Sequence, residues 1–187
     1  ISAGIAIGKV VFMKHHDLEG HVLSYISYNE VEKEQGRFKQ SLQKVEQGLE
    51  QALSSLPEHL NDERDIINMH KMLCQDPKLI EYTLDNIESK LLNAESAVQR
   101  SLDDITQEFS DIEDDYIRDT IDDLHLVGER IMDDLSGKAP YKIKKDEPII
   151  LMARDLSPAD TIELSLDNVL AMVTEDGGKT SHAGILA

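Results

Sequence analysis

The spacing of apolar residues changes twice along the chain, and this change restricts the possible folds more than any other feature. Residues 3–12 are rich in β-branched residues with glycine breaks, as in a strand. Residues 29–137 repeat their apolar positions at helical intervals, and strand-like runs return at 147–153 and 169–173. The first strand needs sheet partners that helices cannot supply. The order therefore predicts an α/β domain into which an all-α helical bundle is inserted.

The central segment contains four predicted helices. Asn29 is the expected N-cap of the first, and Asp76-Pro77 should break or kink the second. The first stripe consists of Val31, Phe38, Leu42, Val45, Leu49 and Leu53. Similar stripes follow over residues 66–91, 98–109 and 117–135, which predicts an antiparallel bundle with short loops.

The domain boundaries follow from these changes of pattern. Residues 1–28 and 138–187 form the predicted α/β domain, and residues 29–137 form the predicted helical domain, with Gly137 at a helix C-cap. In the first predicted strand, the spacing of Ala6, Val10 and Phe12 places them on one face. The sequence begins without methionine and stops inside a predicted helix, so we expect it to be part of a longer protein whose α/β domain continues.

The most informative motif, TEDGGKTSHAGILA, follows the last predicted strand. Gly177 and Gly178 permit a sharp turn and a close approach of the backbone to a ligand. Thr180 or Ser181 can then cap the following helix. A strand, a glycine turn and a helix start in this order predict an anion site, because free N–H groups and the positive end of the helix dipole meet there.

His182 lies in the first turn of that helix, and Lys179 adds a positive charge nearby. A neutral imidazole is a nucleophile near pH 7, so His182 is the candidate acceptor of a phosphoryl group. The hydroxyl of Thr161 is a candidate partner for its other ring nitrogen. The alternative of a capping or core histidine is less favoured in this context. A P-loop is disfavoured because its first glycine would fall at Val173.

Charge and cysteine content limit the partners. Asp and Glu number 37 against 19 Lys and Arg, so the formal charge is −18. Such a surface repels nucleic acid and suits a basic protein partner. We see no membrane span. Cys74 is the single cysteine, which fits a reducing cytoplasm, and it is predicted to be a small core residue rather than a nucleophile.

The segment GGKTSHAGILA resembles the phosphohistidine motif of Enzyme I and of the swivelling domains of pyruvate phosphate dikinase and phosphoenolpyruvate synthase. SAGIAIGKV near the start and LSPADT, which ends at Thr161, also resemble Enzyme I. The helical insertion resembles the carrier-binding subdomain of that family. The resemblance covers essentially the whole chain and implies a phosphohistidine (swivelling) α/β domain with an inserted bundle.

The resemblance to Enzyme I also implies an activity. His182 would accept phosphoryl from phosphoenolpyruvate and pass it to a histidine of the carrier HPr, with Thr161 hydrogen-bonded to His182. Phosphoenolpyruvate and Mg²⁺ would bind to a C-terminal domain that this sequence does not include, and no metal is expected in the present chain. The whole enzyme would be a cytoplasmic homodimer that serves sugar uptake or regulation.

The same resemblance places the carrier on the second helix and its continuation. The implied carrier-binding residues are His70, Met72, Leu73 and Leu79. From its spacing alone, His70 also fits a packing histidine. In the fourth helix the family usually has arginine at the positions of Thr120 and His125, so the carrier is HPr or a paralogue.

Three alternatives remain open from the sequence. One is the swivelling domain of a dikinase-like enzyme, which the inserted bundle disfavours. Another is a nitrogen-related or multidomain paralogue of Enzyme I. The last is a non-catalytic helical interaction module in which the glycine loop is only a turn.

Overall fold

A computed structural model describes residues 5–13, 22–137, 148–153 and 169–175 of the chain. In these residues the elements are β1 Lys9–Met13, a 3-10 turn Tyr28–Glu30, α1 Val31–Ser55, α2 Asn61–Cys74, α3 Pro77–Ser89, α4 Ala94–Phe109, α5 Asp115–Leu135, β2 Ile149–Ala153 and β3 Val169–Thr174. The second predicted helix is thus α2 and α3, separated at the predicted break.

The described strands form one parallel sheet in the order β1-β2-β3. Lys9 pairs with Ile149, and Ile149 pairs with Val169. One face of this sheet is buried around Val11, Ile149, Leu151 and Ala153, against which Met13, Val169 and Met172 pack. Helices α1 to α5 lie between β1 and β2 in the sequence, which confirms the prediction that the helical domain is an insertion.

The helices follow the predicted stripes. Val31, Phe38 and Leu49 of α1 are buried, as are Val98, Leu102 and Ile105 of α4. Within the helical unit, α1 runs antiparallel to α5: the Ser41 hydroxyl donates to the Ile131 carbonyl at 3.0 Å, and Arg37 donates to the Leu135 carbonyl at 3.0 Å. Gly137 follows α5 with a φ of 69°, the left-handed conformation predicted for a C-cap glycine.

The predicted start of the first helix is wrong, and the sequence did not indicate which face of β1 is buried. The first helical turn begins after Ser27 rather than Asn29, two residues earlier than predicted. The reason is a capping box, in which the Glu30 carboxylate accepts the Ser27 N–H at 2.9 Å. The face of β1 that carries Val10 and Phe12 is exposed, and Val11 on the opposite face is buried. Both faces of this short strand are apolar, so alternation alone does not distinguish them.

The described residues divide into two compact units. One contains residues 5–13, 52–67, 148–153 and 169–175, and the other contains residues 22–51 and 68–137. Residues 52–67 belong to the same compact unit as the strands, although the sequence predicts that they are part of the helical domain. The predicted domain boundaries stay a prediction.

Candidate functional site

The carboxyl ends of the three described strands are aligned. Met13 pairs with Ala153, and Ala153 pairs with Thr174. The N–H of Glu175 donates to the Ala153 carbonyl at 3.2 Å, so pairing continues to the last described residue. In parallel sheets, ligands bind at the carboxyl ends of the strands. This edge is therefore where an α/β site is expected.

Both predicted catalytic residues follow this edge in the sequence. Thr161 comes eight residues after Ala153, the last residue of β2, and His182 comes eight residues after Thr174, the last residue of β3. Thr161 and the motif residues Gly177, Gly178, Lys179, Thr180, Ser181 and His182 lie outside the described residues. Their roles stay predictions.

The four predicted carrier-binding residues lie in the helical unit and differ in exposure. Met72 is 72% exposed, and Leu73 is half-buried. His70 and Leu79 are both fully buried. In this conformation Met72 is accessible to solvent, whereas His70 and Leu79 lie in the interior of the helical unit.

The turn between α2 and α3 is held by a helix cap. Asp76 accepts the N–H groups of Lys78 at 2.8 Å and Leu79 at 3.1 Å. Pro77 takes the first position of α3, where its missing N–H removes no helical hydrogen bond. The predicted break at Asp76-Pro77 is confirmed, and this cap places Met72 and Leu79 on successive helices beside one tight turn.

Charged residues surround this turn. Lys71 pairs with Glu50, and Lys78 pairs with Glu108. The Tyr82 hydroxyl donates to the same Glu108 carboxylate at 2.5 Å. These hydrogen bonds raise the pKa of Lys78 and lower the pKa of Glu108, so both groups stay charged at neutral pH. Exposed pairs of this kind contribute little stability, but Lys71 in α2 and Lys78 in α3 form a charged rim on either side of the turn.

Thr120 and His125 take up local partners on α5. The Thr120 hydroxyl donates to the Tyr116 carbonyl one turn earlier, at 2.8 Å. The His125 Nε2 lies 2.8 Å from the Thr106 hydroxyl of α4. Burial lowers the pKa of His125 despite the carboxylates of Asp103 and Asp122, so the ring is neutral at pH 7. Neither residue supplies the positive charge of the arginines usual in the resembled family.

Cys74 ends α2 as a core residue, as predicted. Its side chain is buried, and burial raises the pKa of the thiol to about 12. A thiol that stays protonated at neutral pH is a poor nucleophile. Both properties fit the predicted role of Cys74 as a core residue rather than a nucleophile.

Two residues of the helical unit were missed in the sequence. Asp123 lies 3.1 Å from His70 through its Oδ1 atom, and Tyr116 is an exposed aromatic residue in the first turn of α5. Asp123 belongs to a long acidic run, and no spacing rule singles it out. Tyr116 stands out only as a large apolar ring beside the α5 N-cap Asp114.

Within the described residues, no group of three or more His, Cys, Asp or Glu side chains is arranged to hold a metal ion. Each described helix is also too polar or too short to cross a membrane.

The chain matches the family models of PEP-utilising enzymes. Residues 1–119 match the N-terminal part of PEP-utilising enzymes, and residues 145–187 match their mobile domain. Since the first match alone covers more than half of the chain, the chain belongs to the family of PEP-utilising enzymes.

Individual relatives agree with this assignment. The phosphoenolpyruvate-protein phosphotransferase of Haemophilus influenzae is 31% identical over 100% of this chain and 32% of its own length. Those of Bacillus subtilis and Listeria monocytogenes are 29% and 30% identical over the same shares. The chain spans about one third of the length of these relatives.

Solved structures agree as well. An NMR solution structure of Enzyme I is similar at a TM-score of 0.77 and 30% identity, over 99% of this chain and 75% of that one. The N-terminal domain of Enzyme 1 - Nitrogen has a similar fold at a TM-score of 0.72 and 22% identity, over 98% of this chain and 75% of that one. The predicted resemblance to the N-terminal part of Enzyme I and the predicted fold class are thus confirmed.

Proposed function

We propose that this chain is the phosphohistidine and carrier-binding part of a phosphoenolpyruvate-protein phosphotransferase. The observation that carries the proposal is the parallel pairing of β2 with β3, whose carboxyl edge leads into the GGKTSH motif. The helical insertion between β1 and β2 and the names of the relatives support the same activity.

In the first transfer, the solvent-facing ring nitrogen of His182 attacks the phosphorus of phosphoenolpyruvate. A P–N bond forms, the P–O bond to the enol oxygen breaks, and the enolate takes a proton to become pyruvate. The other ring nitrogen stays protonated, and its N–H donates a hydrogen bond to the hydroxyl oxygen of Thr161. This hydrogen bond holds the tautomer in which the attacking nitrogen has a free lone pair.

The residues around His182 suit a phosphoryl group. Gly177 and Gly178 would allow the backbone to approach, and Thr180 or Ser181 would cap the helix that the sequence predicts there. The free N–H groups of this helix start and the ammonium of Lys179 stabilise the negative phosphoryl oxygens. Located after a strand, this arrangement favours a phosphorylated intermediate over a packing histidine.

In the second transfer, a histidine of the carrier HPr, or of a paralogue, attacks the same phosphorus, and the P–N bond to His182 breaks. Both rings must lie within a few ångströms of the phosphorus. The proposed docking surface consists of Met72 and Leu73. His70 and Leu79 are buried in the same helical unit. The formal charge of −18 favours a carrier with basic residues around its own histidine.

Several properties of the whole enzyme extend this proposal. Phosphoenolpyruvate and Mg²⁺ are expected on a further domain, where the metal would neutralise charge on the substrate. A homodimer in the cytoplasm that serves sugar uptake or regulation follows from the family resemblance.

The alternative of a dikinase-like swivelling domain shares the phosphohistidine but has small-molecule acceptors. The inserted helices, with the exposed Met72 beside a charged rim, favour a protein acceptor instead. For a nitrogen-related paralogue, the same transfer would go to a different carrier.

Phosphoryl exchange tests this proposal. The 187-residue chain is incubated with ³²P-phosphorylated HPr, with a phosphorylated nitrogen-type paralogue of HPr, and with phosphoenolpyruvate and Mg²⁺ alone. We expect label from one of the two carriers and none from phosphoenolpyruvate. Labelling by phosphoenolpyruvate alone, or by neither carrier, contradicts the proposal.

A further inference from the structure

His70 joins α2 to α5 inside the helical unit. Its side chain is fully buried, and its Nε2 lies 3.1 Å from Oδ1 of Asp123, whose side chain is 21% exposed. The Nδ1 atom is also buried, and among the described residues it has no hydrogen-bond partner. A buried histidine with one nitrogen bonded and the other bare needs an explanation, since buried polar atoms are nearly always paired.

The contact defines where the proton of the ring lies. An ionised carboxylate only accepts hydrogen bonds, so Nε2 must donate to Asp123. A second proton on Nδ1 would be a buried donor without an acceptor, at a cost that an unprotonated nitrogen avoids. The geometry therefore selects a ring with its single proton on Nε2.

The hydrogen bond also helps to hold the rotation of α2, together with Ile67 and Cys74, which are buried on the same helix face. Successive helical residues are about 100° apart, so Met72 points roughly 200° away from His70. While His70 is held inward against Asp123, Met72 is held outward. The contacts with α1 on the surface, from Lys71 of α2 to Glu50 and from Gln75 just after α2 to Glu46, are exposed and restrain this rotation less.

We propose that His70 and Asp123 are a positioning pair for the carrier-binding surface: their buried hydrogen bond holds the last turn of α2 so that Met72 and Leu73 face the partner. Neither residue touches the partner. Asp123 lies three residues after Thr120 on α5, so the same bond also ties this part of α5 to α2. The inference rests on the proposed function, because the partner is the carrier.

Four variants separate positioning from stability. In His70→Leu and Asp123→Leu the bond is lost, whereas His70→Gln keeps a donor amide and Asp123→Asn keeps an acceptor oxygen. Ser41→Ala is the matched control, because it removes another buried bond between helices, from α1 to α5. For each variant, the Kd of HPr is measured by NMR titration and the Tm by circular dichroism.

We expect His70→Leu to bind HPr about fivefold or more weakly, which corresponds to roughly 1 kcal/mol. Its Tm should change little, because leucine suits a buried site. His70→Gln and Asp123→Asn should bind within about twofold of the wild type, and Ser41→Ala should lower Tm without changing Kd. Three results would overturn the proposal. His70→Leu could bind HPr as tightly as the wild type, His70→Gln could lose as much affinity as His70→Leu, or the loss of affinity could follow the loss of Tm in all variants.

The free protein provides a second test. A long-range ¹H–¹⁵N spectrum of the imidazoles should show His70 protonated at Nε2, and His70→Leu should shift the amide signals of Met72 and Leu73. If these amides do not move, the positioning role is wrong. If the wild type binds no carrier while these amides do move, the proposed function fails and the structural coupling stands.

Discussion

Gly128 of α5 packs against the side chain of Leu102 on α4, and both residues are buried. A Cβ atom on Gly128 would lie 3.3 Å from Leu102 Cγ and nearer still to its methyl groups. The close approach of the two helices therefore depends on the absence of a side chain at this position.

We predict that Gly128→Ala lowers the free energy of unfolding by about 1–3 kcal/mol, as overpacking of a core does. Urea denaturation measures the change. Gly36→Ala is the matched control, because a Cβ there meets nothing within 4 Å inside α1. The control should gain up to about 1 kcal/mol from helix propensity. Equal effects in the two variants would show that α4 and α5 are not in contact at Gly128.

The buried thiol of Cys74 leads to a prediction about alkaline pH. Its pKa is raised to about 12 in the folded chain and is near 9.0 when unfolded. Between these values the unfolded state loses the proton and the folded state keeps it. Stability therefore falls with rising pH from about 9 upward, by at most about 1.4 kcal/mol per pH unit for this one group.

Cys74→Ala isolates this effect, because lysines and tyrosines titrate equally in both proteins. The difference in unfolding free energy between Cys74→Ala and the wild type should be constant below pH 8 and should move in favour of the variant above pH 9. Iodoacetamide should label the wild type slowly when folded and rapidly in urea. Rapid labelling of the folded chain would place the thiol at the surface.

Thr120 gives a prediction about the partner. Its hydroxyl is bonded within the helix, so a replacement loses no contact between helices. We expect Thr120→Arg to bind HPr about three- to tenfold more tightly, by restoring the arginine usual in the resembled family, which corresponds to roughly 0.7–1.4 kcal/mol.

Thr120→Gln is the neutral control and should leave the Kd unchanged. Titrations at about 0.1 M and 1 M salt separate steering from contact, because the Debye length falls from about 10 Å to about 3 Å. Weaker binding by Thr120→Arg would indicate that Thr120 matches a carrier other than HPr.

Local rules predicted the elements well where the residues themselves enforce them. Pro77 cannot continue a helix and Asp76 can cap one, so the break between α2 and α3 is visible in the sequence. The pairing of β1 with β2 across the insertion was also predictable, because an isolated strand needs a partner. The break depends on two adjacent residues, and the strand pairing depends on the general need of a strand for hydrogen-bond partners.

Features that depend on competing contacts were not predictable. Ser27 rather than Asn29 begins the first turn because the Glu30 carboxylate reaches back to it. The inward face of β1 depends on what covers the sheet. The spacing of His70 left a packing role open, but its hydrogen-bond partner Asp123 is 53 residues away. No local pattern selects this acid from the others on α5.

The central claim is that His182 accepts the phosphoryl group. After incubation with phosphorylated carrier, the chain should gain an acid-labile, base-stable phosphate that tandem mass spectrometry locates on the peptide containing His182. The label should vanish in His182→Ala and persist in His59→Ala, because His59 is an exposed histidine outside the proposed sites. A label that remains in His182→Ala would contradict the account.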